Sequence, residues 1–289
     1  MRDLFYLFLV YVSPLYRLFS KNRLRVLAYH TVPDQEKFEK QVEYLNKNFN
    51  IISVPQLQQI IFNKSKVPSN SVLITFDDGD VSVLENGLPV LKKFNSPSAL
   101  FIITKLIDTT DTFWPRWVER SFSKDGKTYA EARRKVNQLK VVSNIEREKY
   151  LETLEQITSP QLTHLDLKKM EKAGIFIGNH THSHPMINKC SEEEITLELD
   201  QVRKKFDEWS LPGYPVFAYP NGNWDEKAEK IMFNKGIKLA FLFDHKLATI
   251  PINPLRISRI RVNADSEMNE FKAKVAGVHS ALMNIKNNF

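Results

Sequence analysis

The sequence predicts an α/β barrel, on three observations. Near-continuous apolar runs, such as SVLITF at 71–76 and ALFIIT at 99–104, are typical of strands buried on both faces of a parallel sheet. These runs alternate with segments of helical periodicity, which indicates parallel strands joined by right-handed crossovers. The chain has 289 residues, close to the roughly 250 residues of a single (β/α) barrel.

The N-terminal half supplies the first elements of this barrel. RVLAY at 25–29 predicts a strand with His30 at its end, and Phe38, Val42, Leu45 and Phe49 share one face of a helix. The other predicted elements are helices over 55–62 and 87–94 and strands over 51–54, 71–76 and 99–104.

Residues 105–165 differ in composition from their surroundings. They are rich in Lys, Glu and Arg and predict a mostly helical insertion. Trp114 and Trp117 lie near its start, and they either stack on sugar rings or pack the insertion onto the barrel. Beyond it we predict helices from Ser159-Pro160 to about Lys172, over 192–209 and 225–235 and at the C-terminus, with strands over 174–178, 216–218, 238–243 and 256–262.

Polar motifs follow four of the predicted strands. They begin at His30, Asp77, His180 and Tyr219. The carboxyl ends of parallel strands meet at one edge of a barrel, where active sites are built. The sequence therefore predicts that the four motifs converge.

The motif Asp77-Asp78-Gly79 offers two adjacent carboxylates at a strand end. Because side chains alternate along a strand, the two carboxylates point in different directions. One can bind a cation while the other remains free for proton transfer. Taken alone, however, the motif is also an ordinary turn.

Three histidines lie within HTHSHP at 180–185, in a chain that has only seven. Imidazoles suit zinc and similar first-row metals. His180 and His184 share a face if the intervening residues form one helical turn, in which case His182 faces elsewhere. A surface histidine cluster is the alternative interpretation.

Taken together, these motifs resemble those of the polysaccharide deacetylases, also called the NodB-homology or carbohydrate esterase family 4 enzymes. TFDDG at 75–79 and HTHSH at 180–184 match the first two family motifs, and FAYPNG at 217–222 resembles the exopolysaccharide deacetylase branch. The likeness continues through VLAYH at 26–30, SALFIIT at 98–104 and LRISRIRV at 255–262. It implies a distorted (β/α) barrel with a helical insertion.

The resemblance also implies roles for individual residues. Asp78, His180 and His184 would hold a divalent metal, expected to be Zn²⁺ with Co²⁺, Ni²⁺ or Mn²⁺ as alternatives. Asp77 would be the general base that activates the metal-bound water. The turn formed by Tyr219, Pro220, Asn221 and Gly222 would supply backbone N–H groups to the oxyanion.

Two further roles rest on departures from the common family pattern. The arginine of the family's usual third motif is missing, and Arg259 is expected to reach Asp77 and keep it ionised. His30 matches an early histidine that serves as general acid in the branch resembling poly-β-1,6-N-acetylglucosamine deacetylases. The alternatives are a surface ion pair for Arg259 and a packing role for His30. Asp80 stands where many relatives have an aromatic residue.

The N-terminus suggests contact with a membrane. LFYLFLVYVSPLY at 4–16 is too short to span a bilayer comfortably, but its aromatics and the basic residues Arg17, Lys21, Arg23 and Arg25 suit a lipid surface. We therefore divide the chain into a membrane-associating segment, 1–22, and a catalytic domain, 23–289, with its insertion at about 105–165. A helix packed on the domain itself and a signal peptide are the alternatives.

Composition excludes other classes of function. The net charge of +7 comes with no nucleic-acid-binding motif, so we expect no nucleic-acid partner. The single cysteine, Cys190, excludes an internal disulfide. The family resemblance implies a hydrolase that removes N-acetyl groups from a polysaccharide or lipid-linked saccharide, and with the N-terminal segment we expect it to be peripheral to a membrane of the bacterial cell envelope. An O-acetyl esterase, a deformylase and an inactive glycan-binding homologue are the alternatives.

Overall fold

The computed structural model describes residues 2–248 and 251–286, in which eight strands form one sheet. The strands are β1 (Arg25–Tyr29), β2 (Asn50–Ile51), β3 (Ser71–Phe76), β4 (Ser98–Ile102), β5 (Ile175–Asn179), β6 (Val216–Ala218), β7 (Leu239–Phe241) and β8 (Ile260–Arg261). Their order is β7-β6-β5-β4-β3-β1-β8, with β2 beside β3, and the ladders are parallel.

The segment around β8 joins the two ends of this sheet. Leu242 N–H, just after β7, donates to Ile257 O at 2.8 Å, whereas Ile260 in β8 pairs with Leu27 in β1. The sheet therefore curls into a distorted barrel, as predicted. The strand predicted over 256–262 is only two residues long in the structure. The segment pairs at Ile257 with the chain just after β7 and at Ile260 with β1, so it follows neither strand for long.

Twelve α-helices accompany the sheet in the described part of the chain. They are α1 (Arg2–Ser20), α2 (Gln35–Asn48), α3 (Val54–Phe62), α4 (Leu88–Lys93), α5 (Trp114–Lys124), α6 (Tyr129–Leu139), α7 (Asn144–Leu151), α8 (His164–Lys172), α9 (Glu192–Glu208), α10 (Glu226–Asn234), α11 (Met268–Ala276) and α12 (Val278–Lys286). The predicted start of α8 at Ser159-Pro160 is wrong. Thr163 and Asp166 form a capping box, which fixes the first helical residue as His164.

The insertion between β4 and α8 consists of α5, α6 and α7, which agrees with the helical segment predicted over 105–165. These helices share a small apolar core that includes Trp114, Val118, Val136 and Leu151. The core also contains Met186, which follows the histidine motif. The insertion therefore packs directly against the loop that carries the predicted metal ligands.

Helix α1 lies on the domain through one face only. Tyr6 and Leu9 pack against Ala273 and Ala276 of α11. Large apolar side chains on the rest of α1 are exposed: Leu4, Phe5, Leu7, Phe8, Tyr11, Leu15, Leu18 and Phe19. Among the described helices, none is long and apolar enough to cross a bilayer.

Three of the basic residues assigned to a lipid surface are engaged within the protein instead. Arg25 is fully buried and donates to Val275 O at 2.8 Å. Arg17 donates to Asn48 O at 2.9 Å, and Arg23 donates to Leu247 O at 3.1 Å. Burial keeps Arg25 from a lipid surface, whereas Arg17 and Arg23 are half-buried and each donates to a backbone carbonyl of the domain.

Candidate metal and catalytic site

The parallel ladders bring the predicted motifs to one edge of the sheet. Tyr29 pairs with Phe76, so His30 and Asp77 leave adjacent strands at the same level. Ile102 pairs with Asn179, which places His180 at that edge as well. His180 reaches β6, where its Nδ1 lies 2.8 Å from Ala218 O. The predicted convergence of the four motifs is therefore what the fold produces.

Asp77 faces the barrel interior. Alternation along β3 puts Leu73, Thr75 and Asp77 on one face, and Leu73 packs there in an apolar cluster with Val26, Phe101 and Phe241 of other strands. Arg259 meets Asp77 there with two parallel hydrogen bonds of 2.7 Å, and the same guanidinium donates to Leu242 O and to Thr75 Oγ1. Arg259 therefore makes the contact that the sequence predicted, as a buried pair and not a surface one.

The charge balance keeps Asp77 ionised. Burial by itself raises the pKa of this carboxyl group, but Arg259, His180 and His30 outweigh burial and lower it. A carboxylate that is ionised at neutral pH can accept a proton, and each of its oxygens retains a lone pair besides the one that faces Arg259.

Asp78, His180 and His184 form a group that suits a metal ion. One ligand atom from each lies within 4.8 Å of the others. The Nε2 atoms of His180 and His184 lie 3.4 and 3.6 Å from Asp78 Oδ1. In its neutral form, His180 donates through Nδ1 to Ala218 O, so its Nε2 lone pair faces the carboxylate. One carboxylate and two imidazole nitrogens directed at a common point fit a divalent cation of the zinc type.

The histidine loop has a different conformation from the one predicted. His180 to His184 do not form a helical turn. Thr181 and His184 instead adopt left-handed φ values of 70° and 59°, and the two ligand rings lie 4.8 Å apart. Ring packing orients His184, whose imidazole lies edge-on to Phe113 at 4.8 Å. His182 points elsewhere, with Nδ1 2.9 Å from Thr104 Oγ1.

Glu198 on α9 supports this loop, and sequence reasoning missed it. Its carboxylate accepts hydrogen bonds from the backbone N–H groups of His182 and Ser183, at 2.7 and 2.9 Å, and from Ser183 Oγ at 2.6 Å. Its position in the sequence could have indicated this role, because Glu198 lies on the helix face that also buries Ile195 and Leu199, and buried glutamates are usually paired.

The turn after β6 corrects the oxyanion prediction. Tyr219 N–H already donates to Phe241 O at 3.0 Å and Gly222 N–H to Tyr219 O at 2.8 Å, while Pro220 has no N–H. Asn221 alone, at φ 56°, remains as a candidate backbone donor of this turn. Gly222 is required for another reason, since a Cβ there would lie 2.5 Å from Phe243 N.

His30 lies at the end of β1, half-buried and edge-on to Phe243 at 5.3 Å. Its charge lowers the pKa of both Asp77 and Asp78, which places it within electrostatic reach of the two carboxylates. This position fits a proton donor at the site, although packing against Phe243 is also observed.

The insertion holds the carbonyl of His184 with two buried donors. Trp114 Nε1 lies 3.1 Å from His184 O and Arg147 NH1 lies 3.0 Å from it. Trp114 therefore packs the insertion onto the barrel, as one of the two interpretations proposed. Trp117 is more open and donates to Glu155 O, and both tryptophans line a cavity of about 380 Å³.

Comparison with known proteins decides the family. The family model described as polysaccharide deacetylase matches residues 64–240. The chain belongs to the polysaccharide deacetylase family. It is 25% identical over 244 residues to the poly-β-1,6-N-acetyl-D-glucosamine N-deacetylase of Staphylococcus aureus strain MRSA252, covering 80% of this chain and 68% of that protein.

Solved structures share the fold of this polysaccharide deacetylase. IcaB from Ammonifex degensii aligns with a TM-score of 0.63 and 21% identity, over 89% of this chain and 97% of that one. The Streptococcus pyogenes deacetylase PplD, solved with acetate, also aligns at 0.63 with 17% identity, over 87% and 98%. The predicted family, barrel fold and class of enzyme, a carbohydrate deacetylase and hence a hydrolase, are confirmed.

Proposed function

We propose that this polysaccharide deacetylase removes N-acetyl groups from an amino sugar in a polysaccharide or a lipid-linked saccharide. The observation that carries the proposal is the convergence of two imidazole nitrogens on Asp78 beside the buried Asp77–Arg259 pair. One of the relatives is named as an N-deacetylase of poly-β-1,6-N-acetyl-D-glucosamine. This similarity supports an N-acetyl group, and not an O-acetyl or formyl group, as the group that is removed.

Asp78, His180 and His184 would hold the cation, which we propose to be Zn²⁺. When bound, the cation supplies Lewis-acid polarisation of the acyl carbonyl and lowers the pKa of a water. Asp77 is the proposed general base. Its low pKa keeps the base form populated, and Arg259 fixes the plane of the carboxylate through two hydrogen bonds.

His30 is the proposed general acid, which protonates the departing amine. It leaves the strand next to that of Asp77, so acid and base lie at neighbouring strand ends of the same sheet edge. Asn221 N–H is the proposed backbone donor to the oxyanion, because the other N–H groups of the turn after β6 are already engaged.

The test pairs metal content with acetate release for wild type, His184→Ala and His182→Ala. We expect near-stoichiometric metal and acetate release from N-acetylated oligosaccharides, both lost in His184→Ala. His182→Ala, whose imidazole bonds to Thr104 outside the metal group, is the matched control and should retain metal. Wild-type protein that binds no metal contradicts the metal site, and release only from O-acetyl or formyl sugars contradicts the choice of acyl group.

We also propose that α1 rests on a membrane surface, which would be that of the bacterial cell envelope. Its outward face exposes Phe5, Phe8, Tyr11 and Phe19, and aromatic side chains favour the boundary between lipid and water. Because Arg17, Arg23 and Arg25 are engaged within the protein, apolar contact and not lipid charge should dominate.

Vesicle co-sedimentation tests this second proposal. Wild type should bind neutral and anionic vesicles to a similar extent, and Phe8→Ser with Tyr11→Ser should weaken binding to both. Binding that the double substitution leaves unchanged would rule out this face of α1 as the contact.

A further inference from the structure

Lys140 connects the insertion to the candidate active site. It follows α6, and its Nζ donates to Asn221 Oδ1 at 2.8 Å across 81 positions of sequence. Asn221 is the residue that retains a candidate N–H donor in the turn after β6. The charge of Lys140 also acts on Asp78 and His184, so its ammonium group lies within electrostatic reach of the proposed metal ligands.

This ammonium group lacks a partner of opposite charge. Lys140 is half-buried, and among the residues that the structure describes it forms no ion pair. Several other lysines of the chain do form one, as Lys124 does with Glu155 and Lys235 with Asp200. A partly desolvated cation held by a single neutral amide oxygen keeps donors free for an anion.

A second cation lies at the same rim. Arg261 ends β8, and its partner Ala28 lies two residues before His30, so Arg261 leaves the sheet at the site edge. It is exposed and forms no ion pair within the described part of the chain. Burial and the like charges of Arg133 and Arg261 lower the pKa of Lys140, while Asp78 and Glu119 oppose them. Arg133 is already neutralised by Glu119 at 2.7 Å.

We propose that Lys140, together with Arg261 at the same edge of the sheet, forms a subsite that binds an anionic group of the substrate, a phosphate or a carboxylate next to the N-acetylated sugar. This inference rests on the proposed deacetylase function and names its substrate class. Two unpaired cations at one rim stabilise an anion by charge, and the ammonium group adds a charge-assisted hydrogen bond. Lys140 would then act as a specificity-determining residue supplied by the insertion.

Ligand binding tests the subsite without requiring turnover. The metal-loaded full chain is titrated with N-acetylglucosamine 1-phosphate, with a glucuronic acid–N-acetylglucosamine disaccharide and with the neutral methyl glycoside of N-acetylglucosamine. Wild type should bind one anionic sugar at least about tenfold more tightly than the neutral sugar, the effect of one charge-assisted hydrogen bond. The anionic sugar that binds tightly distinguishes phosphate from carboxylate.

Variants then assign the preference to Lys140. Lys140→Met should abolish it and Lys140→Arg should largely restore it. Lys135→Met is the matched control, since Lys135 is on α6, the helix that Lys140 follows, but lies over the Tyr150 ring at 3.7 Å, and it should keep the preference. Any metal-bound phosphate contributes equally to these variants, so their differences report the subsite.

Two outcomes overturn the inference. One is a wild type without preference for either anion. The other is a Lys140→Met variant that keeps the preference or that binds all three sugars more weakly by the same factor. Equal weakening would mean that Lys140 only holds Asn221 in place. Acetate release measured in parallel separates the two proposals: absence of release from every sugar contradicts the deacetylase function and leaves the binding result to decide the subsite.

Discussion

The floor and the rim of the candidate site are built by different parts of the molecule. The floor consists of residues at strand ends, such as Asp77, His180 and Arg259, which are almost completely buried. The rim is supplied largely by the insertion, where Lys140 and Arg116 remain accessible to solvent. The floor holds its charges in pairs, whereas at the rim Lys140 and Arg261 form no ion pair with any described residue. Buried pairing fixes reacting groups in place, and accessible charge is available to a substrate.

The two regions meet at His184. Its side chain belongs to the floor, while its carbonyl is held by Trp114 and Arg147 of the insertion. The insertion therefore also supports the loop that carries the proposed metal ligands. The following predictions separate what each region contributes, from the largest expected effect to the smallest.

Asp77→Asn tests the floor most directly. The amide cannot accept the proton, so we expect kcat to fall by about 10²–10⁴, the usual contribution of a general base. Metal content should persist because Asp77 is not among the three proposed ligands. Asp80→Asn in the same turn is the control and should change kcat little. Full activity of Asp77→Asn in acetate-release assays would show that the base is another group.

Arg259→Met tests the buried pair. Removing one partner leaves an uncompensated buried charge, which costs about 3–5 kcal/mol of unfolding free energy, measurable by denaturant titration. In wild type the depressed pKa of Asp77 adds stability above the pKa of the unfolded chain, and this is lost as pH falls through the folded pKa. Arg259→Met removes the largest influence that lowers this pKa, so the pKa of Asp77 should rise relative to wild type.

The same variant should therefore shift the acid limb of the kcat/KM profile to higher pH. Arg259→Lys, which keeps the charge but not the paired geometry, should shift it less. An acid limb that stays in place in Arg259→Met would show that Asp77 does not set it.

Glu198→Gln tests support of the ligand loop from outside the site. The amide can no longer accept all three hydrogen bonds as a carboxylate does, so metal affinity should fall by about 10–100-fold, as for other groups that orient metal ligands. Glu208→Gln, on the same helix but exposed beside Lys205, is the control. Equal metal affinities in competition titrations would mean that loop packing alone orients His184.

Arg116→Gln tests the exposed part of the rim. Arg116 pairs with Asp80 at 2.6 Å, but its side chain is 48% exposed, so the pair should contribute less than about 1 kcal/mol to stability. We expect a melting temperature close to that of wild type and a small change in acetate release. A large loss of activity at unchanged stability would place Arg116 in contact with substrate.

The sequence by itself determined the barrel strands and the residues at their ends. Runs such as Ser71–Phe76 are continuous in apolar character, and parallel strands necessarily collect their carboxyl ends at one edge. The grouping of Asp77, Asp78 and His180 followed from that local pattern. The contact of Arg259 with Asp77 was also foreseen, but from resemblance and not from any periodicity.

The tertiary structure alone decided how these residues are held. The left-handed conformations of Thr181 and His184, which replace the predicted helical turn, depend on Glu198 and Trp114 from distant elements. The curl of the sheet decides that the Tyr219 N–H donates to Phe241 O. The position of the insertion decides that Lys140 contacts Asn221. Local sequence periodicity encodes which face of an element is buried, whereas hydrogen-bond partners far apart in sequence are set only when the elements pack.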